Sequence, residues 1–349
     1  MARQSFVANL ESLRGLAAAT VCLFHAGDIR FHGASAGASP IAVLLDGLGA
    51  VVLFFVLSGY VLRRSLEPRR QTPWPALAAA FLTARGFRLY PTVIATVLLM
   101  AAVAALAGGH LYSPVEILRN AALLDTTING VFWTLQVEVV GSALIVVAFL
   151  IERRFGLGPL LALAVFSLPL PFIGLSARDF GATPMGLLQA FLLGYLAAAM
   201  PRPKLAGPAA TWGLLALGVG GFYAANVIGN PLFQWSHLLT EAAAVALVLV
   251  LSAEGFERAL VWPPLRGLGV LSYSFYALHP LGLGVAGVVV GWLGGLDIPA
   301  WIGVAVAVLT SVAASIPIAA AMHFLVERPG IRLGRWTLSV WPRRAPAPA

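Results

Sequence analysis

Long apolar runs, separated by short polar segments, follow one another along nearly the whole chain. Ten of these runs approach the roughly 20 residues that an α-helix needs to cross a bilayer. They cover approximately residues 10–27, 47–62, 89–108, 134–151, 158–174, 184–200, 208–226, 237–253, 268–290 and 300–324. The pattern predicts an all-α fold, a polytopic membrane bundle of about ten transmembrane helices.

The composition places this bundle in a membrane. Hydrophobic residues make up 60% of the 349 positions and charged residues only 10%, against about 45–50% and about 25% in soluble chains. We predict one membrane-embedded domain over 1–349, in which 331–349 form a basic, Pro/Ala-rich cytoplasmic tail. We also expect the first run to be retained as a span rather than cleaved as a signal peptide. The single cysteine, Cys22, excludes an intrachain disulfide framework, and we predict no metal site.

Basic residues are distributed unevenly between the two sides of the predicted bundle. Of the 22 lysines and arginines, 18 lie on the side of the N-terminus, Arg14 lies within the first span, and the other side holds Arg30, Arg119 and Arg178. Loops rich in Lys and Arg face the cytoplasm, so we predict that both termini are cytoplasmic. The formal net charge of +8 does not indicate nucleic-acid binding, because the basic residues occupy short loops between spans.

The first apolar run contains two polar residues with a regular spacing. In "LRGLAAATVCLFHAG" (13–27), Arg14 and His25 are eleven residues apart. This is close to three helical turns and about 16 Å, so both side chains leave nearly the same helix face. A histidine at membrane depth is costly unless it faces the bundle interior or water. On this pair alone, a packing histidine with a snorkelling arginine is the favoured interpretation.

Polar residues also interrupt three later runs. "FFVLSGYVLRR" (54–64) contains Ser58 and Gly59, and the glycine favours close helix contact. "ARGFRLYP" (84–91) places Arg85 and Arg88 on one helix face. That geometry suits a phosphate, although ordinary anchors at the inner end of a span would have the same spacing. "FWTLQVEVVGS" (132–142) buries Glu138, which needs a partner or a proton.

The last two spans carry further polar motifs. "LSYSFYALHPL" (271–281) brings Ser272, Tyr273, Tyr276 and His279 into one helix, and "VERPG" (326–330) is most simply a helix end. Arg63 and Arg64 lie outside these motifs, and we interpret them as inner anchors. Trp133 fits the aromatic belt at a membrane interface.

Taken together, these motifs resemble those of acyltransferase family 3, the integral-membrane acyltransferases of bacterial surface sugars and some secondary metabolites. The resemblance covers residues 8–330 and rests on six features in order: an arginine and a histidine separated by ten residues, "FFVLSGY", an arginine pair before "LYP", "WTLQVE", "SYSFYALHP" and "ERP". It implies acyl-CoA, usually acetyl-CoA, as a co-substrate rather than a tightly bound cofactor. It also implies a hydroxyl acceptor, commonly on a glycan, and a place in the lipid bilayer of the bacterial inner membrane.

The resemblance also implies roles for individual residues. Arg14 and His25 match the essential arginine–histidine pair of the family, Arg85 and Arg88 match its basic pair, and Glu138 matches its acid. Some members carry a soluble domain after the last span. Here about twenty residues follow "ERP", so we expect the spans and outer loops to recognise the acceptor.

Acyl transfer from a thioester needs a base for the acceptor hydroxyl and donors for the developing oxyanion. We predict that His25 is the base. A carboxylate would orient its ring, and Glu138 and Asp46 are both candidates. We predict that Arg14, Arg85 and Arg88 hold the CoA phosphates, because an extended pantetheine arm is about as long as the Arg14–His25 separation. Candidate substrate contacts are Ser58, Trp133 and Tyr276.

Other functions remain open from the sequence. Intramembrane His, Glu and Arg also mark the substrate paths of transporters and flippases, although we find no internal repeat of the kind that many transporters have. A catalytically inactive scaffold is a third class. Among acyltransferases, the acceptor could be a small secondary metabolite or a lipid. Direct transfer and an acyl-enzyme intermediate on histidine or serine are both open.

Overall fold

The described part of the chain is built from helices. The computed structural model describes residues 2–28, 46–168, 187–202, 204, 207–228, 233–253, 260, 262–294 and 299–340. Its regular elements confirm the all-α prediction. The α-helices are α1 Ala2–Asp28, α2 Gly47–Leu66, α3 Trp74–Leu106, α4 Pro114–Ala121, α5 Trp133–Phe155, α6 Gly158–Ser167, α7 Leu188–Ala199, α8 Pro208–Ile228, α9 Phe233–Ser252, α10 Pro263–Leu293, α11 Ala300–Met322 and α12 Arg328–Val340.

Each of the ten predicted spans overlaps one of these helices. Five described segments are long and apolar enough to cross a membrane: Gly47–Arg69, Trp74–Leu106, Gly130–Phe155, Pro263–Leu293 and Trp301–Val340. Shorter apolar segments are the helices Gly158–Ser167 and Leu188–Ala199, together with Thr211–Phe222 within α8 and His237–Ser252 within α9. The count of ten spans therefore stays a prediction.

Two helices extend beyond the sequence-based boundaries. Helix α3 begins at Trp74 and continues through Pro91, so the Arg85–Arg88 turn lies inside a regular helix rather than at its entrance. The prediction of a helix end at "VERPG" is wrong, because a π turn at His323–Glu327 leads directly into α12. Pro329 directly follows this π turn, and because it has no N–H it donates no backbone hydrogen bond to the preceding turn.

Glycines let the central helices approach closely. A Cβ atom on Gly59 of α2 would lie 2.1 Å from the carbonyl oxygen of Phe191 in α7. A Cβ atom on Gly194 of α7 would lie 1.9 Å from the carbonyl oxygen of Val56. The predicted packing role of Gly59 is confirmed, because any larger residue would push the two backbones apart.

A buried ion pair joins α2, α5 and α7. Arg63 donates to Glu152 at 3.1 Å (Nε to Oε2) and 2.7 Å (Nη2 to Oε1), and to the carbonyl of Ala198 at 2.9 Å. Arg70 donates to the same carboxylate at 3.0 Å, and the Tyr195 hydroxyl donates to its other oxygen. We call Arg63, Arg70, Glu152 and Tyr195 the Arg63 clamp.

The interpretation of Arg63 as an ordinary inner anchor is wrong. Arg63 is only 7% exposed, and its partner Glu152 is only 5% exposed. The reason lies in the helix repeat, because Arg63 is four residues after Gly59 and therefore lies on the face of α2 that packs against α7. A buried charge of this kind must be paired and fully hydrogen-bonded, and the clamp provides both.

Candidate functional site

A narrow cavity lies where five helices meet, and it is rich in arginine. We call it the arginine cavity, and its free volume is about 50 Å³. Helices α1, α2, α3, α5 and α10 supply its lining, which is Arg14, Val51, Phe54, Phe55, Ser58, Arg85, Arg88, Leu89, Thr134, Leu135, Glu138, Ser272, Tyr273 and Tyr276. The fold thus brings together residues that are more than two hundred positions apart in sequence.

Arg85 is held in place by polar groups of α5. Its Nη2 forms a short ion pair with Oε1 of Glu138, and its Nε donates to the Ser142 hydroxyl at 3.1 Å. The Ser58 hydroxyl of α2 donates to the same carboxylate at 3.2–3.3 Å. Both side chains of the ion pair are only 14% exposed. Glu138 therefore fixes one arginine and links three helices at the cavity wall.

Arg14 and Arg88 have no such partner within the described residues. Neither side chain forms an ion pair or a hydrogen bond there, although both line the cavity. Three arginines and one carboxylate face the same small space, so the lining carries more positive than negative charge. A low-dielectric interior makes unpaired charge costly. The lining is therefore suited to an anion with more than one negative charge.

Two tyrosines of α10 complete the wall. The Tyr273 hydroxyl donates to the carbonyl oxygen of Leu89 at 2.8 Å. The Tyr276 hydroxyl donates to the carbonyl oxygen of Val131 at 3.2 Å and contacts the Thr134 hydroxyl at 2.9 Å. These bonds connect Tyr273 to α3, and Tyr276 to α5 and the turn before it, so both hydroxyl groups are engaged next to the arginines.

A second cavity contains His25. We call it the histidine cavity, and its volume is about 420 Å³. Its lining is mostly apolar and aromatic: Val21, Phe24, His25, Gly47, Leu48, Val51, Gly130, Val131, Trp133, Tyr276, Pro280 and Leu283. A volume of this size is in the range of sites that bind small molecules. Apolar walls of this kind exclude water from a reacting group, and the imidazole provides a base beside that group.

The two cavities are neighbours that share Val51 and Tyr276. Helix α1 connects them, because Arg14 lines one cavity and His25 lines the other. Eleven residues of a regular helix separate the two side chains by about 16 Å along its axis. A molecule with an anionic end and an extended arm of this length can occupy both spaces at once.

Asp46 is not among the residues that line the histidine cavity, although the next two residues, Gly47 and Leu48, are. It is the N-cap of α2, and its Oδ1 accepts from the backbone N–H of Gly49 at 2.7 Å. Burial raises the pKa of this carboxyl above its ordinary value, against the opposing effect of the backbone N–H groups of Gly49 and Leu48. In this geometry Asp46 satisfies a helix terminus.

Comparison with known proteins identifies the family. The model of the acyltransferase domain of acyltransferase family 3 matches residues 7–320, which is most of the chain. The chain belongs to acyltransferase family 3. It is therefore a multi-pass membrane acyltransferase, and the resemblance found in the sequence is confirmed.

Two relatives of this acyltransferase have names that concern polysaccharides or acyl transfer. The exopolysaccharide production protein ExoZ of Rhizobium meliloti (strain 1021) is 28% identical over an alignment of 339 positions, which covers 90% of this chain and 95% of that protein. The putative membrane-bound transacylase BcsY of Komagataeibacter xylinus is 25% identical over an alignment of 315 positions, which covers 80% of this chain and 73% of that protein. No solved structure matches the chain.

The predicted site residues of the acyltransferase divide between the two cavities. The arginine cavity brings together Arg14, Ser58, Arg85, Arg88, Glu138 and Tyr276. The histidine cavity brings together His25, Trp133 and Tyr276. The structure pairs Glu138 with Arg85 and uses Asp46 as a helix cap, so the prediction that either carboxylate orients His25 stays a prediction.

Several polar residues at the site were not singled out from the sequence. Thr134 and Ser142 lie four residues before and after Glu138, and this spacing on α5 could have indicated them. Next to the lining residue Tyr273 in sequence, the Ser274 hydroxyl donates to Glu327 at 2.7 Å, and this carboxylate lies 3.0 Å from Nδ1 of His323. The π turn that places Glu327 there has no sequence signal, although such turns are frequent at functional sites.

Proposed function

We propose that this acyltransferase moves an acyl group, expected to be acetyl, from acyl-CoA to a hydroxyl of a cell-surface or envelope carbohydrate. The observation that carries the proposal is the surplus of arginine in a cavity that adjoins the His25 cavity. A phosphate-bearing thioester donor is the substrate that this pair of cavities fits best.

The arginine cavity binds the phosphate end of the donor. Arg14 and Arg88 have their donors free of other described partners, and Arg85 is oriented by Glu138. Arginine presents a planar set of N–H groups that matches phosphate oxygens in pairs. With the phosphates at these side chains, the pantetheine arm extends past Tyr276 and brings the thioester to His25. The free volume of about 50 Å³ implies that side chains move aside when the donor enters.

His25 acts as the base in the histidine cavity. The imidazole takes the proton of the acceptor hydroxyl, and the oxygen attacks the thioester carbon. The C–S bond then breaks, and the departing thiolate sulfur takes the proton from the imidazolium. No proton is gained or lost overall. Candidate groups for holding the substrates in line are Ser58, Trp133 and Tyr276, and we assign Glu138 to holding Arg85 on the donor side.

A carbohydrate acceptor is supported by the relatives and by the cavity. ExoZ is named for exopolysaccharide production, and aromatic residues such as Trp133 and Phe24 line the cavity next to His25. Sugar rings present apolar C–H faces that pack on aromatic side chains. The alternatives within the enzyme class are acylation of a small secondary metabolite or of a lipid.

The donor side of the site is proposed to face the cytoplasm of the bacterial inner membrane. Arg14 precedes His25 on α1 and is therefore the nearer of the two to the N-terminal side of the bundle, which we predict to hold 18 of the 22 basic residues. Fusions test this orientation. A reporter that is active only in the cytoplasm should work after Ala349, and one active only outside should work near Gly37. The opposite pattern would place the donor side on the wrong face for CoA.

Transfer itself is tested with labelled donor. Purified protein in proteoliposomes is incubated with acetyl-labelled acetyl-CoA and with alkali-deacetylated polysaccharide from the producing cells. Label should become covalently attached to the polysaccharide, and His25→Ala should reduce the rate by about 10²–10⁴-fold, the contribution typical of a general base. Transport of unreacted polysaccharide without label transfer would instead indicate a transporter. Wild-type transfer by His25→Ala would remove His25 from the mechanism.

A further inference from the structure

A second imidazole, that of His279, is stacked next to the ring of His25. His279 of α10 is fully buried, and its ring centroid is 5.5 Å from that of His25 with the ring planes 19° apart. It also lies 5.6 Å from the ring of Tyr276, which lines both cavities. His279 itself is not among the residues that line the histidine cavity as described. It can therefore act on the reaction only through His25.

Pro280 determines which nitrogen of His279 carries the hydrogen. In an uninterrupted helix the N–H of residue 280 would donate to the carbonyl of Tyr276, but proline has no N–H. Nδ1 of His279 lies 2.7 Å from that carbonyl oxygen and takes the vacant place. A carbonyl oxygen only accepts, so Nδ1 is the donor. In a neutral imidazole, Nε2 then carries the lone pair.

This lone pair has no hydrogen-bond partner within the described residues. Nε2 of His279 is shielded from solvent and unpaired, although Nδ1 is satisfied. Folded proteins rarely leave a buried acceptor unused, so each exception needs an explanation, such as a functional role or a bound water. The ring nearest to His279 that carries out chemistry in the proposed mechanism is His25.

The two rings cannot both be charged. Two imidazolium ions at this separation in a buried environment would repel strongly. When His25 takes the proton of the acceptor, His279 therefore stays neutral and can still accept a hydrogen bond. Catalytic histidines commonly have a second group that accepts from the ring nitrogen not involved in proton transfer. That group is usually a carboxylate, yet Glu138 and Asp46 are engaged elsewhere.

We propose that His279 is a positioning residue for His25: its Nε2 lone pair, directly or through one water, accepts the N–H of His25 and fixes that ring for proton transfer. The inference rests on the proposed function. The proton moves from the acceptor hydroxyl to His25 and on to the thiolate sulfur, so His279 gains and loses none. Its role is to orient the base and to stabilise the imidazolium without adding charge.

Two substitutions separate the two nitrogens. In His279→Asn the side-chain amide occupies the place of Nδ1 and still donates to the Tyr276 carbonyl, but the acceptor at Nε2 is gone. In His279→Gln the amide reaches the place of Nε2 and can present its oxygen there. Initial rates are measured in proteoliposomes with acetyl-CoA and alkali-deacetylated polysaccharide, together with the thermal midpoint of each variant.

We expect His279→Asn to fold and to keep the wild-type KM for acetyl-CoA, while its kcat falls by roughly tenfold or more as part of the general-base contribution is lost. His279→Gln should recover part of that kcat. A wild-type kcat for His279→Asn would overturn the inference. Equal losses of kcat in both variants would also overturn it, because packing alone would then explain them.

Two further variants locate any failure. His237 of α9 is a buried imidazole 3.4 Å from Glu241, in a part of the bundle with no assigned role. His237→Asn should retain the wild-type kcat per folded molecule, and a matching loss there would show that any buried imidazole has the same effect. An inactive His25→Ala beside a fully active His279→Asn would reject only the role of His279. An active His25→Ala would reject the base and this inference together.

Discussion

Two groups of buried arginines in this bundle differ in how completely they are paired. In the Arg63 clamp, one guanidinium is satisfied by a bidentate carboxylate and a backbone carbonyl, and the carboxylate is satisfied by Arg70 and Tyr195. In the arginine cavity, one of three guanidinium groups has a carboxylate, and the other two have none within the described residues. The first group is complete without a ligand and the second is not.

The comparison shows how buried charge can be assigned to structure or to binding. A pair that satisfies all of its hydrogen bonds holds helices together, and breaking it leaves an uncompensated charge. A surplus of one sign in a lined cavity is favourable only when a counter-charge arrives. Both groups contain arginines that belong to largely apolar helices, so residue type alone does not distinguish them.

The largest expected effect is on folding, from Arg63→Ala. This change leaves Glu152 buried without its main partner, and breaking a buried pair costs about 3–5 kcal/mol. The thermal midpoint and the yield of monodisperse protein should fall sharply. For the fraction that folds, the KM for acetyl-CoA should be that of the wild type. A large rise of that KM at unchanged stability would break the comparison, because the clamp would then be part of the donor site.

The next effect is on donor binding, from Arg88→Gln. A lost charge-assisted contact of about 1.5–3 kcal/mol corresponds to a roughly ten- to hundredfold rise in the KM for acetyl-CoA, if donor binding equilibrates before chemistry. Stability should not fall, because the substitution removes a surplus charge. Steady-state kinetics and thermal unfolding on the same samples measure both quantities. A lower thermal midpoint with an unchanged KM would show that Arg88 is structural.

A smaller effect is expected from Glu138→Gln. Gln can still accept from Arg85 and Ser58, but the negative charge of the carboxylate is lost, so the contact to the guanidinium becomes weaker. The KM for acetyl-CoA should rise less than it does for Arg88→Gln, and kcat should change little. A fall of kcat as large as that of His25→Ala would instead place Glu138 at the base, as the sequence alone also allowed.

The smallest effect is expected from Arg69→Gln, the matched control. Arg69 is exposed at the same end of the bundle as the clamp and has no assigned contact. Exposed substitutions away from special features usually change stability by about 0.5 kcal/mol or less. Kinetics and thermal midpoint should both match the wild type. A rise in the KM for acetyl-CoA equal to that of Arg88→Gln would mean that general surface charge attracts the donor.

Periodic features of the site could be predicted from the sequence. The eleven-residue spacing of Arg14 and His25 and the three-residue spacing of Arg85 and Arg88 place each pair on one helix face, and the structure finds these residues in two adjoining cavities. The close approach at Gly59 also follows from residue size. The two spacings depend on the repeat of a single helix, and the close approach depends on glycine, the one residue without a Cβ atom.

Features that depend on which helices are neighbours could not be predicted. Arg63 looks like an anchor until Glu152 and Tyr195 of other helices are placed beside it. Likewise, the sequence offered Glu138 and Asp46 as partners of His25. In the structure Glu138 pairs with Arg85, and Asp46 accepts from a backbone N–H at the start of α2. His279 was visible in "SYSFYALHP", but its tautomer becomes clear only from the contact of Nδ1 with the Tyr276 carbonyl.

The central claim is that the unpaired arginines form a phosphate site for CoA, and binding of CoA to purified protein tests it most directly. Calorimetric titration is carried out on the wild type, Arg88→Gln and Arg69→Gln, in the same detergent and at the same salt concentration. The account predicts that the wild type and Arg69→Gln bind CoA with equal Kd, and that Arg88→Gln binds roughly ten- to hundredfold more weakly. Equal Kd in all three proteins, or no binding by the wild type, would contradict it.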